Sequence, residues 1–317
     1  MSLALLFSPQ GSQVVGMGRE IAEASPVARA VFDEADRVLP WSVSGVCWDG
    51  PEEHLNDTRQ TQPCLLATSV ASMRALTEAA AETPAFVAGH SVGEYAALVA
   101  AGVLEFDAGL RLVGRRGQLM ASAGADGGML AVLGLDRPTV EQVVGAMARP
   151  TELAVANDNA PGQVVISGTS AVLDAIAEPM RAAGAKRVIR LPVSGAFHSP
   201  LMAGVAEQLA DAFEDERWSD ATIPVVSNVT AEPVTDASKI RNLLAEQVRS
   251  PVEWVRCVQR MVDDGVDTMI ECGSGAALIG MVKRIAPQVR TASVTDLASL
   301  ASASEMLRDT VPARASI

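Results

Sequence analysis

The stretch Gly89-His90-Ser91-Val92-Gly93 constrains this chain more than any other. Phe86-Val87-Ala88 before it suits the end of a buried strand, and residues 94–101 after it are alanine-rich and helix-forming. Gly-x-Ser-x-Gly between a strand and a helix is a nucleophile elbow. Its glycines allow a turn too sharp for a flanking side chain, and the serine is left exposed at the tip. The following helix N-terminus offers free N–H groups and the positive end of its dipole to a developing oxyanion. The same five residues also suit an ordinary Gly/Ser turn; the strand and helix on either side favour the elbow.

Composition narrows what such an elbow can serve. With 317 residues, 49% of them hydrophobic, the chain can bury one large core or two modest ones. A net charge of −13 and an aromatic content of 3% argue against nucleic acid, which needs a basic field and rings to stack on. The apolar start, Met1 to Phe7, lacks the cationic residues and cleavage site of a signal peptide, and no apolar stretch reaches the length of a membrane span. Cys47, Cys64, Cys257 and Cys272 are scattered without Cys-x-x-Cys spacing. They read as reduced, mostly buried thiols of a cytoplasmic protein. Three histidines without a local His/Cys cluster argue against a metal site.

Along the chain, Leu3–Phe7 reads as a buried strand, and the polar loop Ser8-Pro9-Gln10-Gly11-Ser12-Gln13 follows it. Such a loop is a usual ligand site in an α/β fold and equally an ordinary turn. Residues 17–39 read as one helix with Ile21, Ala24, Val27, Ala28, Val31 and Phe32 inward, 50–63 as irregular, and 65–81 as a helix. After a glycine-rich break at 124–128 the rhythm becomes β-α-β-β-α-β: strand 129–135, helix 139–148, strands 152–156 and 163–167, helix 171–183, strand 187–193. That order is ferredoxin-like, with Asn157-Asp158-Asn159-Ala160-Pro161-Gly162 as the central turn. Alternating strands and helices resume to residue 285, and beyond Asp296 the Ala/Ser-rich end is expected to fray. Gly273-Ser274-Gly275 reads as a tight strand–helix turn, because it lacks the Lys-Ser/Thr of a phosphate loop.

Two further residues stand out. In the helix expected over 107–121, Arg116 has Leu112, Val113, Leu119 and Met120 at helical spacing, whereas Arg115 has Arg111 and Gln118. Arg116 is therefore expected inward and Arg115 near solvent. An inward guanidinium needs acceptors: a bound anion or a structural ion pair. His198, in Ser194-Gly195-Ala196-Phe197-His198-Ser199-Pro200, lies where the chain leaves the insert, and domain junctions form pockets. His90 is too close in sequence to turn back on Ser91, and His54 sits in a charged run, so an imidazole base for Ser91 is best supplied by His198.

Taken together, these motifs, with Asn157-Asp158-Asn159-Ala160-Pro161-Gly162-Gln163 and Arg116-Gly117, resemble malonyl-CoA:acyl carrier protein transacylases and the acyltransferase domains of polyketide synthases, over nearly the whole chain. Two motifs depart from that family: Ser8-Pro9 stands where Pro-Gly is usual, and Cys272-Gly273-Ser274-Gly275 where Gly-Pro-Gly is usual. The resemblance implies an α/β, hydrolase-like domain (1–124 and 197–317) around a mostly parallel sheet, with an inserted ferredoxin-like subdomain (125–196). It implies that malonyl-CoA loads Ser91, that His198 is the base, and that N–H groups of Gln10 and Val92 hold the oxyanion. It implies a backbone carbonyl, by position that of Gln247, as the group that orients His198. Arg116, Phe197 and Asn157 would bind substrate, Arg116 through the malonyl carboxylate, with Phe197 and Val92 fitting a malonyl-selective class. The holo acyl carrier protein of fatty acid or polyketide synthesis would be the acceptor, the enzyme a cytoplasmic monomer without cofactor. A trans-acting polyketide acyltransferase and an acyl hydrolase are the alternatives on the same fold. The acidic carrier would meet a local basic patch, for which Lys186, Arg187, Arg190, Lys283 and Arg284 are the available cations, or these are scattered solvated charges.

Overall fold

The computed structural model describes residues 2–123, 126–147, 149, 151–193 and 195–308. Gly124, Ala148 and Ser194, which fall at expected segment ends, lie outside the described residues, as does the stretch from 309 onward. Strands in chain order are β1 Leu3–Phe7, β2 Phe86–Gly89, β3 Gly127–Leu133, β4 Leu153–Ala160, β5 Gln163–Thr169, β6 Arg187–Arg190, β7 Val225–Val226, β8 Pro233–Val234, β9 Thr268–Cys272 and β10 Arg290–Val294.

The large sheet has the order β10-β9-β1-β2-β7-β8 and is parallel except for the edge pair β7/β8. β1 is an unbroken apolar run because both its faces are covered. Leu3, Leu5 and Phe7 enter one core, and Ala4 and Leu6 enter the other. Phe7 is level with Gly89 of β2 and with Cys272 of β9. The Ser8 loop, the elbow and the Gly273 turn therefore leave the sheet side by side at its carboxyl edge, where open α/β sheets bind ligands.

The second sheet is antiparallel with the order β4-β5-β3-β6. Read with its two helices, Arg137–Met147 and Ser170–Ala182, it is the ferredoxin-like unit expected from the β-α-β-β-α-β rhythm. The small sheet is joined through the main chain to the segment between the helices Ala237–Gln247 and Trp254–Asp263. Asp158 N–H donates to the Val252 carbonyl, and Val252 N–H donates to the Ala156 carbonyl. This places Asn157 of β4 beside the segment that follows Gln247.

Several local expectations are corrected. The region 50–63 is helical for the most part: Glu52–Asn56 is one helix, and Thr58–Ala79 begins with Asp57 as its cap, accepting from Arg59 N–H at 2.9 Å, and tolerates Pro63 in its second turn. Residues 17–39 form two helices, Arg19–Ala24 and Pro26–Val38, because Ser25-Pro26 ends one and caps the next; the break leaves Ala24 exposed and buries Ala22 instead. Asn157 to Ala160 belong to β4, and only Pro161-Gly162 make the turn. Within the described residues the segment after Asp296 is ordered as a helix, Leu297–Arg308, capped by Asp296 at Ser299 N–H (2.8 Å), with Ala303 and Leu307 in the main core.

Burial of that last helix gives a direct expectation. Leu307→Ala should lower the unfolding free energy by about 2–4 kcal/mol, the cost of a buried Leu-to-Ala cavity. Urea unfolding followed by circular dichroism measures it; a change below about 0.5 kcal/mol, the size of a surface effect, would return the segment to a frayed tail.

Candidate active site

The elbow is built by close approach. A side-chain carbon on Gly89 would lie 2.0 Å from the Gly93 backbone, and one on Gly93 would lie 2.2 Å from the Phe7 carbonyl oxygen. Neither glycine has a left-handed backbone; that conformation falls on Ser91 itself, at φ 54°. A non-glycine residue held there is strained, and such strain concentrates at functional sites. Ser91 stays put because both its backbone groups are tied: its N–H donates to Asn228 Oδ1 at 2.7 Å, and its carbonyl accepts from Gln247 Nε2 at 3.0 Å.

His198 also has a left-handed backbone, φ 56°, and its N–H donates to the Val248 carbonyl. Its Nδ1 lies 2.9 Å from the Gln247 carbonyl oxygen and its Nε2 lies 2.7 Å from Ser91 Oγ. A carbonyl only accepts, so Nδ1 carries the proton and Nε2 is left as the acceptor for the serine hydroxyl. Burial, and then the Arg116 charge, push the imidazole down to about 3, so it is the neutral, proton-accepting form at neutral pH. Serine, imidazole and orienting carbonyl form a relay in the sense of nucleophilic catalysis, with main chain in place of a carboxylate.

Arg116, on the helix Phe106–Ser122, is 1% exposed, and Arg115 is exposed, as their neighbours implied. Its Nη1 donates to Gln62 Oε1 at 2.8 Å, and its Nη2 donates to Ser91 Oγ at 3.0 Å and Gln247 Oε1 at 3.1 Å. All of these partners are neutral. Its Nε has no acceptor among the described residues. Tyr95 presents its ring 5.8 Å away. Burial lowers the guanidinium pKa, and among the described residues no carboxylate hydrogen-bonds to the cation. Behind Ser91 the carboxyl of Glu94 is buried and pushed up to about 7 by that burial.

A cavity of about 450 Å³ opens over Ser91 and His198. Gln10, His90, Asn157, Asn159, Phe197 and Met281 are among its lining. Gly195 makes room for Phe197: a side-chain carbon there would lie 2.3 Å from the ring. Val92, buried, follows Ser91 at the start of the helix Gly93–Ala100. Neither the Gln10 nor the Val92 N–H has an acceptor among the described residues. Gln10 is steadied by its own side chain, which donates to Thr58 Oγ1 at 3.1 Å. His90 turns away from Ser91 and bonds Asn159 Oδ1 at 2.8 Å; burial pushes it down to about 4. His54 is exposed on its short helix. All four cysteines are free and buried.

The sequence reading missed Gln62, Glu94, Asn159 and Asn228. Two signals were present. Asn228 ends the apolar run Val225-Val226 at the carboxyl edge of the sheet, and Glu94 is a lone charge in an otherwise apolar helix. Among the described residues there is no cluster of metal-ligating side chains, and no helix is long and apolar enough to cross a membrane.

Residues 4–314 match the acyl transferase domain family. The malonyl CoA-acyl carrier protein transacylase of Bacillus subtilis strain 168 is 41% identical over 97% of this chain and 98% of its own length. The solved acyl carrier protein S-malonyltransferase from Vibrio cholerae superposes with a TM-score of 0.92, at 40% identity over 95% of this chain and 99% of that one. A type II polyketide acyl carrier protein in complex with its malonyl-transacylase contains a chain matching at TM-score 0.93 and 40% identity, over 96% of this chain and 100% of that chain.

A depressed imidazole pKa has a measurable sign. The base is lost only as pH falls toward 3, so labelling of Ser91 by an uncharged fluorophosphonate should keep a flat rate from pH 8 down to about pH 5. A rate that halves near 6.5, the ordinary value, would show an unperturbed histidine.

Proposed function

The chain belongs to the acyl transferase domain family, and we propose that it transfers a malonyl group from malonyl-CoA to the phosphopantetheine thiol of an acyl carrier protein, through a malonyl ester on Ser91. One observation carries the choice of acyl group. A buried guanidinium stands 3.0 Å from Ser91 Oγ with only neutral hydrogen-bond partners. An acyl group ending in a carboxylate supplies the anion that this charge lacks, and the planar fork suits a bidentate pair.

Ser91 Oγ attacks the thioester carbon, and its proton passes to His198 Nε2. The N–H groups of Gln10 and Val92 hold the oxyanion while the C–S bond breaks. The departing coenzyme A thiolate takes the proton from His198 and leaves as the thiol. The carrier thiol then gives its proton to Nε2 and attacks the ester carbon. Ser91 leaves as the alkoxide and recovers its proton from His198. The Gln247 carbonyl holds the imidazole in one tautomer throughout, and Phe197 and Asn157 line the acyl and pantetheine space. Every step is carried by groups of the chain and its two substrates, so malonyl-CoA is a substrate and no cofactor is called for.

Carrier docking follows from where the free cations fall. Lys186 packs its stem against Gly134, and Arg284 reaches the Pro161 carbonyl and Gln163 Oε1, so both flank the one turn at Gly134 and Gly162. Lys283 is exposed beside Arg284, on the helix Ala277–Ile285 whose Met281 lines the cavity. Arg190 is tied to Asp174 and does not join them. A local cationic group at the cleft mouth offsets the overall −13 for an acidic partner.

Intact mass spectrometry tests the acyl chemistry. Wild type with malonyl-CoA should gain one malonyl adduct, discharged by holo carrier and not by water, and Ser91→Ala should gain none. Arg116→Ala should lose malonyl loading by about 10²-fold or more, since removing one partner of a buried pair costs on the order of 3–5 kcal/mol. Its acetyl loading should hold or rise. An unchanged malonyl-to-acetyl ratio would return Arg116 to a structural role and reopen the substrate.

Charge reversal at Lys186 and Lys283 should cut kcat/KM for the carrier by about tenfold or more while loading from malonyl-CoA holds. Equal loss in both half-reactions, or none, would refute the patch.

A further inference from the structure

Resting on Ser91 as the nucleophile, we infer that Glu94 is a positioning residue that holds nucleophile and base in register through Asn228 and Gln247. One carboxylate oxygen, Glu94 Oε2, accepts from Gln247 Nε2 at 2.7 Å and from Asn228 N–H at 3.3 Å. Those two residues grip the strained serine from opposite sides. Asn228 Oδ1 takes the Ser91 N–H while Asn228 Nδ2 donates to the Gly89 carbonyl at 2.7 Å. Gln247 Nε2 donates to the Ser91 carbonyl as well as to Glu94. The carbonyl of the same Gln247 accepts from His198 Nδ1. Gln247 therefore touches both ends of the Ser91–His198 hydrogen bond, the serine through its side-chain amide and the imidazole through its main-chain carbonyl.

The burial of all three members makes the clamp exclusive of water. Glu94 is 3% exposed, Gln247 1% and Asn228 0%. A buried amide that loses its acceptor has no water to turn to, so it rotates to find another partner. For Gln247 that rotation would disturb the bond its Nε2 donates to the Ser91 carbonyl and the bond its Oε1 accepts from Arg116. The titratable and charged groups facing Glu94 are Arg116, Tyr95 and Cys257. What the clamp needs from Glu94 is an acceptor oxygen, which a carboxylate, a carboxylic acid and an amide all provide.

The inference is tested by loading kinetics with malonyl-CoA on Glu94→Leu, Glu94→Gln, Asn228→Ala and the double variant Glu94→Gln/Asn228→Ala. Peptide mapping of the wild-type adduct comes first. An adduct away from Ser91 would defeat the functional reading, whereas a wild-type adduct on Ser91 leaves the clamp to be judged by the variants. Glu94→Leu should lower kcat on the order of 10²-fold with KM nearly unchanged, the loss expected when reacting groups are misplaced by about 1 Å. Glu94→Gln should recover at least about tenfold of that loss, because its carbonyl still accepts. Asn228→Ala should lower kcat in the same manner, and the double variant should fall no further than Asn228→Ala alone, as residues acting as one unit do. If Glu94→Leu does not fold, the other three variants decide. Independent, multiplying losses, a Gln variant as poor as Leu, a change confined to KM, or full activity in Asn228→Ala would each overturn the proposal.

Discussion

The site depends on a serine whose backbone sits at φ 54°. That conformation costs on the order of 1–3 kcal/mol and persists only where its surroundings fix it. Here three sources do so. β1 and β2 lie in parallel register and bring Phe7 level with Gly89. Gly93 packs on the Phe7 carbonyl with no room for a side chain. Asn228 and Gln247, distant in sequence, bind the two polar backbone groups of Ser91. The outcome is an oxygen at a tip, aimed at an imidazole at 2.7 Å, with no freedom to relax toward an ordinary turn.

Electrostatics follow from the same burial. A buried imidazole beside a guanidinium stays neutral, which is the state a proton acceptor needs. The guanidinium is solvated by two glutamine oxygens and a serine hydroxyl. Neutral acceptors take up part of its hydrogen-bonding capacity without cancelling its charge, so a positive potential is left for a ligand, whereas a carboxylate at that distance would have cancelled it. Glu94, whose charge acts on Arg116, hydrogen-bonds to Asn228 and Gln247 and not to the cation.

What the residues alone made legible was mostly local; His198 as the partner of Ser91 came by elimination, and the Gln247 carbonyl beside it from the family resemblance. The elbow lies within five residues, and Arg116 was placed inward by neighbours three and four positions away. The β-α-β-β-α-β rhythm and the fold class it implied match the two sheets, and the family resemblance agrees with the match over residues 4–314. Boundaries shifted where local chemistry outweighed composition: Asp57 starts a helix in a stretch that reads as irregular, and Asp296 caps a helix that Ala and Ser alone would leave frayed. The polar frame behind Ser91 was out of reach, because Asn228 and Gln247 meet Glu94 across 134 and 153 positions. No periodicity spans such a gap. Only the residue types, an Asn at a strand end and a Glu in an apolar helix, marked them.

The junction between the sheets adds the last constraint. His198 follows directly on the insert, and its orienting carbonyl belongs to Gln247. Five residues on, Val252 exchanges backbone hydrogen bonds with Ala156 and Asp158 of β4. Asn157, between those two, lines the cavity. Arg137 and Glu253 close the same seam from either side. The insert is thus fastened to the segment whose carbonyl binds His198, and the small sheet that walls the cavity is fixed relative to that imidazole. A rotation of the insert that widened the cleft would have to break the Val252 pairings, and it would pull on Gln247 as it did so.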